Sequence, residues 1–253
     1  MLLKLTEKCS MGCTHCMNSA TPEGEHMTLD TLNDVLEFLI RNEAYEHVVV
    51  SGGEPTEHPD FELIMNRILT RFSEERHQSV ITITTNGFWC LEHPDAAKRI
   101  AAGTPCTKVF WQVSTDSRYY PKALPLHKRL WRESGFILCD RCVTQIYPQG
   151  RALANKLPWK AKASKCLNVR AVTKQLKNPS IGLIVEHLFV SHFYCTPAIR
   201  IDGGISLGES DHCPKVASIY DSEVEIIRKI IDFKCHQCDF INNSLDPIYK
   251  QFL

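Results

Sequence analysis

The sequence predicts an α/β fold, with a mostly parallel sheet over residues 1–190 and a small β-hairpin-plus-helix unit over 191–253. Three observations predict it. Short β-type runs alternate with helical patterns through the first 150 residues, at intervals of roughly 25–35 residues, as successive βαβ units require. From residue 195 onward the alternation gives way to a hairpin pattern and a capped helix. The twelve cysteines are grouped mainly at the two ends of the chain.

The elements follow in order. Residues 2–6 make a short apolar strand that runs directly into the first cysteine group. Leu29, Leu32, Leu36, Leu39 and Ile40 recur at helical spacing behind Thr28, a good N-cap. Residues 47–50 read as a buried strand ending at Ser51-Gly52-Gly53. A helix is expected from Pro59, with Phe61, Ile64, Met65 and Ile68 on one face. Residues 80–84 form a β-branched strand, 96–102 a helix, 109–113 a fourth strand, 124–131 a weaker helix and 143–147 a fifth strand. Residues 176–180 read as a polar loop and 181–185 as a strand. Near the end, 198–201 and 204–207 flank Asp202-Gly203 as a hairpin. A Ser222/Glu225 capping box then opens a helix whose apolar face is Val224, Ile227 and Ile231.

Right-handed crossovers curl such a sheet into a full or partial barrel, or leave it open and doubly wound; periodicity does not choose between them. It does place Cys9, Gly52, Asn86, Ser114 and Tyr147 at or near C-terminal strand ends, where α/β proteins gather their active sites.

Composition narrows the partners. Lys+Arg and Asp+Glu are 29 each, so no net field draws the chain to nucleic acid or a membrane. No apolar run approaches the roughly 18–20 residues of a membrane span, and the N-terminus lacks a secretory cleavage pattern. The expected location is therefore cytoplasmic, where grouped cysteines bind metal or do redox chemistry rather than form disulfides.

Cys9-x3-Cys13-x2-Cys16 follows the first strand on one tight loop. Three thiolates hold three irons of a [4Fe–4S] cluster and leave the fourth iron open. On spacing alone a structural zinc site is an equal alternative. Gly52-Gly53-Glu54-Pro55 stands directly after the second strand and continues as Thr56-Glu57-His58-Pro59. Thr85-Asn86-Gly87, Ser114-Thr115-Asp116 and Tyr147-Pro148-Gln149-Gly150-Arg151-Ala152 follow at or near later strand ends.

Together these segments resemble the radical S-adenosylmethionine (SAM) superfamily over residues 1 to about 150. His15 stands where that family usually carries an aromatic residue. The resemblance implies a partial (β/α)6 barrel with a [4Fe–4S] cluster on Cys9, Cys13 and Cys16. It implies SAM held near Gly52, Gly53, Glu54 and Pro55, with Asn86, Ser114 and Asp116 as candidates for the ribose and carboxylate. Arg151 is a candidate partner of the SAM carboxylate. It further implies reductive cleavage of SAM to a 5′-deoxyadenosyl radical, fed by a donor such as flavodoxin or ferredoxin.

Cys195, Cys213, Cys235 and Cys238 form the second group. They resemble a shortened, twitch-like form of the SPASM extension, which implies a second, auxiliary iron–sulfur cluster of [4Fe–4S] type; a zinc ribbon is the alternative. Cys139 and Cys142, between two expected strands, read as buried apolar cysteines, a redox couple or a stray ligand pair. A fully ligated second cluster suits electron transfer, and so net oxidation of a small polar molecule or a short peptide. Residue 9 as the first cluster cysteine leaves no room for an N-terminal leader-binding domain, which favours a free-standing small molecule over ribosomal-peptide modification. A non-catalytic zinc-binding module is the alternative of another class.

Overall fold

The computed structural model describes residues 1–75, 78–114, 118, 138–141, 146, 149–157, 178–190, 197–211 and 213–233. Strands Leu2–Thr6 (β1), His47–Gly52 (β2), Ser79–Thr85 (β3), Thr107–Ser114 (β4), Leu138–Arg141 (β5), Pro197–Ile199 (β6), Gly204–Leu207 (β7) and Lys215–Ser218 (β8) share one sheet. Its order is β5-β4-β3-β2-β1-β6-β7-β8. Strands β1 to β5 are parallel, β6 joins the free edge of β1 in parallel, and β7 and β8 are antiparallel.

The helices are Leu29–Arg41 (α1), Phe61–Glu74 (α2), Phe88–Glu92 (α3), Pro94–Ala102 (α4), Gly150–Ala154 (α5), Ile181–Val190 (α6) and Glu223–Asp232 (α7). Because β1 to β5 add to the sheet in one direction, right-handed crossovers put their connecting helices on one face. The sheet therefore has a helix-covered outer face and an inner face, as in a barrel opened along one side.

Alternation within the strands sorts the residues between these faces. Leu3, Leu5, Val48, Val50, Ile81, Ile83, Val109 and Trp111 are buried beneath α1, α2 and α4. Phe61 lies 5.1 Å from Trp89 and 6.2 Å from Trp111, ring centre to ring centre, and closes this core at the helix side. Toward the C-terminal ends of the strands the alternate positions carry polar side chains to the inner face. Lys4 sits opposite Ser51 on the β1–β2 rung, and Thr84 opposite Gln112 on the β3–β4 rung.

Local chemistry sets the element ends. Thr28 caps α1 through its hydroxyl, and Ser222 caps α7 by accepting from Glu225 N at 3.3 Å. Gly203, at φ +78°, makes the β6–β7 turn with Asp202 Oδ1 accepting from Gly204 N.

Several expectations are corrected. The helix expected from Pro59 begins two residues later, with Asp60 as its cap. Residues 181–185, expected as a strand, belong to helix α6. Ile181, Ile184 and Val185 are buried at i, i+3, i+4 spacing, and Ser180 Oγ accepts from Leu183 N. The fifth strand lies at Leu138–Arg141, ahead of the expected 143–147, most of which falls outside the described residues. Cys139 is thus within a strand, paired with Gln112, rather than between strands. On α7 the buried stripe is Ile226 and Ile230, whereas Val224 is 78% exposed. The two stripes are neighbours on the helix, and docking against β8 selects between them. Strand β8 had no clear sequence signal. The helix expected at 124–131 lies outside the described residues.

Candidate active site

The C-terminal ends of β1 to β4 carry the candidate site. Beyond Thr6 the chain pairs with its own return segment. Glu7 N donates to Glu25 O and Met27 N to Leu5 O, each at 2.8 Å, and Cys9 N donates to Thr21 O at 2.8 Å. Residues 9–21 are thereby closed into a loop at its neck, with Cys9, Cys13 and Cys16 along it. Cys16 N donates to Cys13 O at 3.3 Å, which brings the second and third cysteines together in a turn.

Four residues from three other parts of the chain hold this loop. Glu57 accepts from Ser10 N and Ser10 Oγ, both at 2.8 Å. Arg151 donates from Nε to Cys13 O at 2.9 Å, from Nη1 to Ala20 O at 2.5 Å, and from its backbone N to Cys16 O at 2.8 Å. Asn155 Nδ2 donates to Thr14 O at 2.9 Å, and Ser210 Oγ to Met17 O at 3.0 Å. Gly150, at φ +53°, lets α5 approach so closely, since a Cβ there would lie 2.5 Å from Met17 O.

Gly52 and Gly53 are required by the approach of β2 to the end of β1. A Cβ at Gly52 would lie 2.3 Å from Thr6 O, and one at Gly53 2.1 Å from Lys8 O. The close contact is used: Gly53 N donates to Thr6 O at 2.7 Å and Glu54 N to Lys8 O at 2.8 Å. Glu54 is buried, and its carboxylate accepts from Thr56 N, Thr56 Oγ1, Thr85 Oγ1 and Asn86 N. Burial raises its pKa while those donors oppose the rise. Glu54 therefore ties the end of β2 to the end of β3. Asn86 Oδ1 accepts from Phe88 N at 3.0 Å and starts α3. Pro55 opens a short 3-10 turn, Pro55–Glu57, and Ser114 is buried at the end of β4.

Burial, then mutual charge among the three cysteines, pushes the Cys13 thiol up to about 12, while Arg151 pulls it down. Cys9 is pushed up to about 11, chiefly by burial. Thiolates so placed need a cationic group to stabilise them. Among the described residues no three His, Cys, Asp or Glu side chains converge as ligands of one metal ion would. Three thiols on one closed loop are the number a [4Fe–4S] cluster takes when one iron is left open, whereas a structural zinc site takes four ligands.

Of the expected site residues, hydrogen bonds link the Cys9–Cys16 loop, Gly52, Gly53, Glu54, Asn86 and Arg151 into one network, with Pro55 and Ser114 at the same sheet end. Asp116, Cys195, Cys235 and Cys238 lie outside the described residues. Cys213 is described and buried, and a Cβ at Gly208 would lie 2.6 Å from its sulfur. The sequence reading missed Asn18, Ser210 and Asn155. None has a spacing signal, because each acts across long sequence separations; Asn18 was visible only as a polar residue two positions after the last loop cysteine.

An α/β sheet with this cysteine loop and glycine turn at its C-terminal edge defines an iron–sulfur, SAM-dependent class. The model of the Radical SAM superfamily matches residues 3–132, just over half of the 253, and the chain belongs to that superfamily. This decides against a non-catalytic zinc module. The mycofactocin maturase MftC of Mycobacterium ulcerans (strain Agy99) is 31% identical over 115 residues, covering 45% of this chain and 28% of that relative. The match thus spans less than a third of the relative's length. Among solved structures, BtrN in complex with AdoMet and 2-DOIA aligns at TM-score 0.59 and 13% identity, covering 99% of this chain and 88% of BtrN. Streptococcus suis SuiB bound to S-adenosylmethionine aligns at 0.52 and 15%, covering 95% and 70%. These likenesses establish the fold. No helix among the described residues is long and apolar enough to cross a membrane.

Proposed function

We propose that this radical SAM enzyme oxidises or dehydrogenates a small polar molecule. The observation that carries the reading is the polar inner face of the sheet below the cysteine loop. Lys4 is fully buried there and ion-paired to Asp211 at 2.5 Å. Ser51 donates to Glu209 at 2.6 Å, and Thr84 to Gln112 at 3.2 Å. A substrate carrying hydroxyl or amino groups can exchange hydrogen bonds with such a surface, whereas an apolar one offers nothing in return for disturbing these pairs. The near full-length likeness to BtrN, whose structure holds AdoMet and 2-DOIA, is consistent with this reading.

In this proposal Cys9, Cys13 and Cys16 hold the SAM-binding [4Fe–4S] cluster. Gly52–Pro55, Asn86, Ser114, Asp116 and Arg151 surround SAM. When bound, cluster and SAM supply a 5′-deoxyadenosyl radical that abstracts hydrogen. The chain's own part is to clasp the loop, exclude water and orient the reacting carbon. Residues 191–253 form the auxiliary-cluster unit, with Cys195, Cys213, Cys235 and Cys238 as ligands and the second electron as its cargo. A flavodoxin- or ferredoxin-type donor in the cytoplasm supplies the first electron.

A second reading, modification of a peptide, is favoured by the 31% identity to a maturase and by the fold shared with SuiB, which has been solved bound to the precursor peptide SuiA. The test is release of 5′-deoxyadenosine from SAM by anaerobically reconstituted protein. Stimulation by polyhydroxylated or amino-bearing small molecules, and not by peptides, is expected. Stimulation by peptides alone overturns the first reading in favour of the second.

A further inference from the structure

We propose that Glu209 is a substrate-binding residue whose carboxylate accepts a hydrogen bond from a protonated amino group, so that the substrate is a small cationic amine. This rests on the reading of the site as one for a small polar molecule, and it names the substrate class. Glu209 lies in the connection between β7 and β8 and accepts from Ser51 Oγ at 2.6 Å on the inner face of the sheet.

The strand registers show what surrounds it. Lys4 pairs with Ser51 and Thr84 with Gln112. Continuing the β2–β3 register one residue past Val50 and Ile83 puts Ser51 beside Thr84. One polar row therefore crosses four strands, and Glu209 is bonded to its middle. Lys4 and Ser51 are closed off in this row, whereas Thr84, Gln112 and Glu209 are partly exposed. The connection that carries Glu209 is braced. Ser210 Oγ donates to Met17 O at 3.0 Å, one residue past Cys16, and Arg200 Nη2 donates to Ser210 O at 3.2 Å and to Cys213 O. A molecule held by Glu209 is thus fixed relative to the cysteine loop.

Charge selects the ligand. The buried ammonium of Lys4 is matched by Asp211 at 2.5 Å. Glu209 receives its hydrogen bond from a neutral hydroxyl and has no cationic partner among the described residues. A carboxylate drawn partly out of water without a counter-charge is unfavourable, and a cation at its second oxygen relieves this. Charge-assisted hydrogen bonds are roughly twice as strong as neutral ones, so an ammonium is preferred there to a hydroxyl. Thr84 and Gln112 remain alongside for the hydroxyls of the same molecule.

The test is calorimetric binding to the iron- and SAM-loaded protein, using matched pairs in which an amino group replaces a hydroxyl: glucosamine with glucose, and scyllo-inosamine with scyllo-inositol. The amino member of a pair is expected to bind roughly tenfold more tightly in the wild type. Glu209→Gln keeps the shape and the bond to Ser51; it is expected to weaken the amine about 10- to 100-fold and to leave the hydroxyl member and SAM binding as in the wild type. Glu209→Asp, which keeps the charge, is expected to retain the preference for the amine. Equal binding of both members by the wild type, equal loss of both in Glu209→Gln, or binding of no member at all overturns the proposal. Release of 5′-deoxyadenosine stimulated by peptides alone overturns instead the reading on which it rests.

Discussion

Replacing Arg151 by Gln tests whether α5 clamps the cysteine loop. The guanidinium makes two charge-assisted bonds to loop carbonyls, at 2.9 and 2.5 Å, that join residues more than 130 positions apart. Hydrogen bonds involving a charged group contribute about 1.5–3 kcal/mol each. The side chain is only half-buried and Gln recovers part of one bond, so the expected net loss is about 2–3 kcal/mol. For a protein of this size that lowers the melting temperature by about 5–10 °C. If the loop opens locally instead, its amides exchange roughly 30- to 150-fold faster. Hydrogen exchange across residues 9–21, with a melt on the same preparations, reads both outcomes. Arg151→Lys keeps the charge without the fork and should fall between the two. A variant that melts within a degree of the wild type, with loop exchange unchanged, refutes the clamp.

Glu54→Gln leaves Asn86 N–H or a threonine hydroxyl facing an amide NH2, and should cost about 1–3 kcal/mol by denaturant unfolding; a variant at least as stable as the wild type shows that the carboxyl is not ionised in the fold. Phe61→Ala removes the ring that packs on Trp89 and Trp111, and is expected to cost about 3–4 kcal/mol, with melting lowered by roughly 10 °C. Burial, then the neighbouring His58 and Lys8, lower the pKa of His26. A lowered pKa means the unfolded chain binds the proton first, so stability is present above about pH 6.5 and falls as pH drops. His26→Gln should flatten that fall below about pH 6.5, and an unchanged slope in thermal melts rules His26 out as its source.

The parts of the fold that rest on local pattern were legible in the sequence. Strands β1 to β4 carry β-branched or apolar runs, and Thr28 and Ser222 mark their helices by capping. Residues 181–185 were not, because a short apolar run satisfies strand and helix alike, and burial against the end of α1 decides. The cysteine triplet and the glycine turn were legible because three thiolates and close backbone approach each demand particular residues. The clasps that fix them were not. Arg151, Asn155 and Ser210 act on the loop from up to 193 positions away, and no local spacing encodes such a contact.

The position of β1 has a consequence for how the protein is made. It precedes the other described strands in the chain, yet it lies inside the sheet, between β2 and β6. Its second edge is filled only when Pro197–Ile199 arrive, with Ser210 following to fasten the cysteine loop. At about 5–20 residues per second, the ribosome leaves that edge bare for some 10–40 s. Through that interval the loop can be shaped by α5 and the glycine turn but not finished. A mature iron site therefore requires the chain as far as Ser210, and truncations before residue 197 should expose an adhesive strand edge rather than yield a smaller working enzyme.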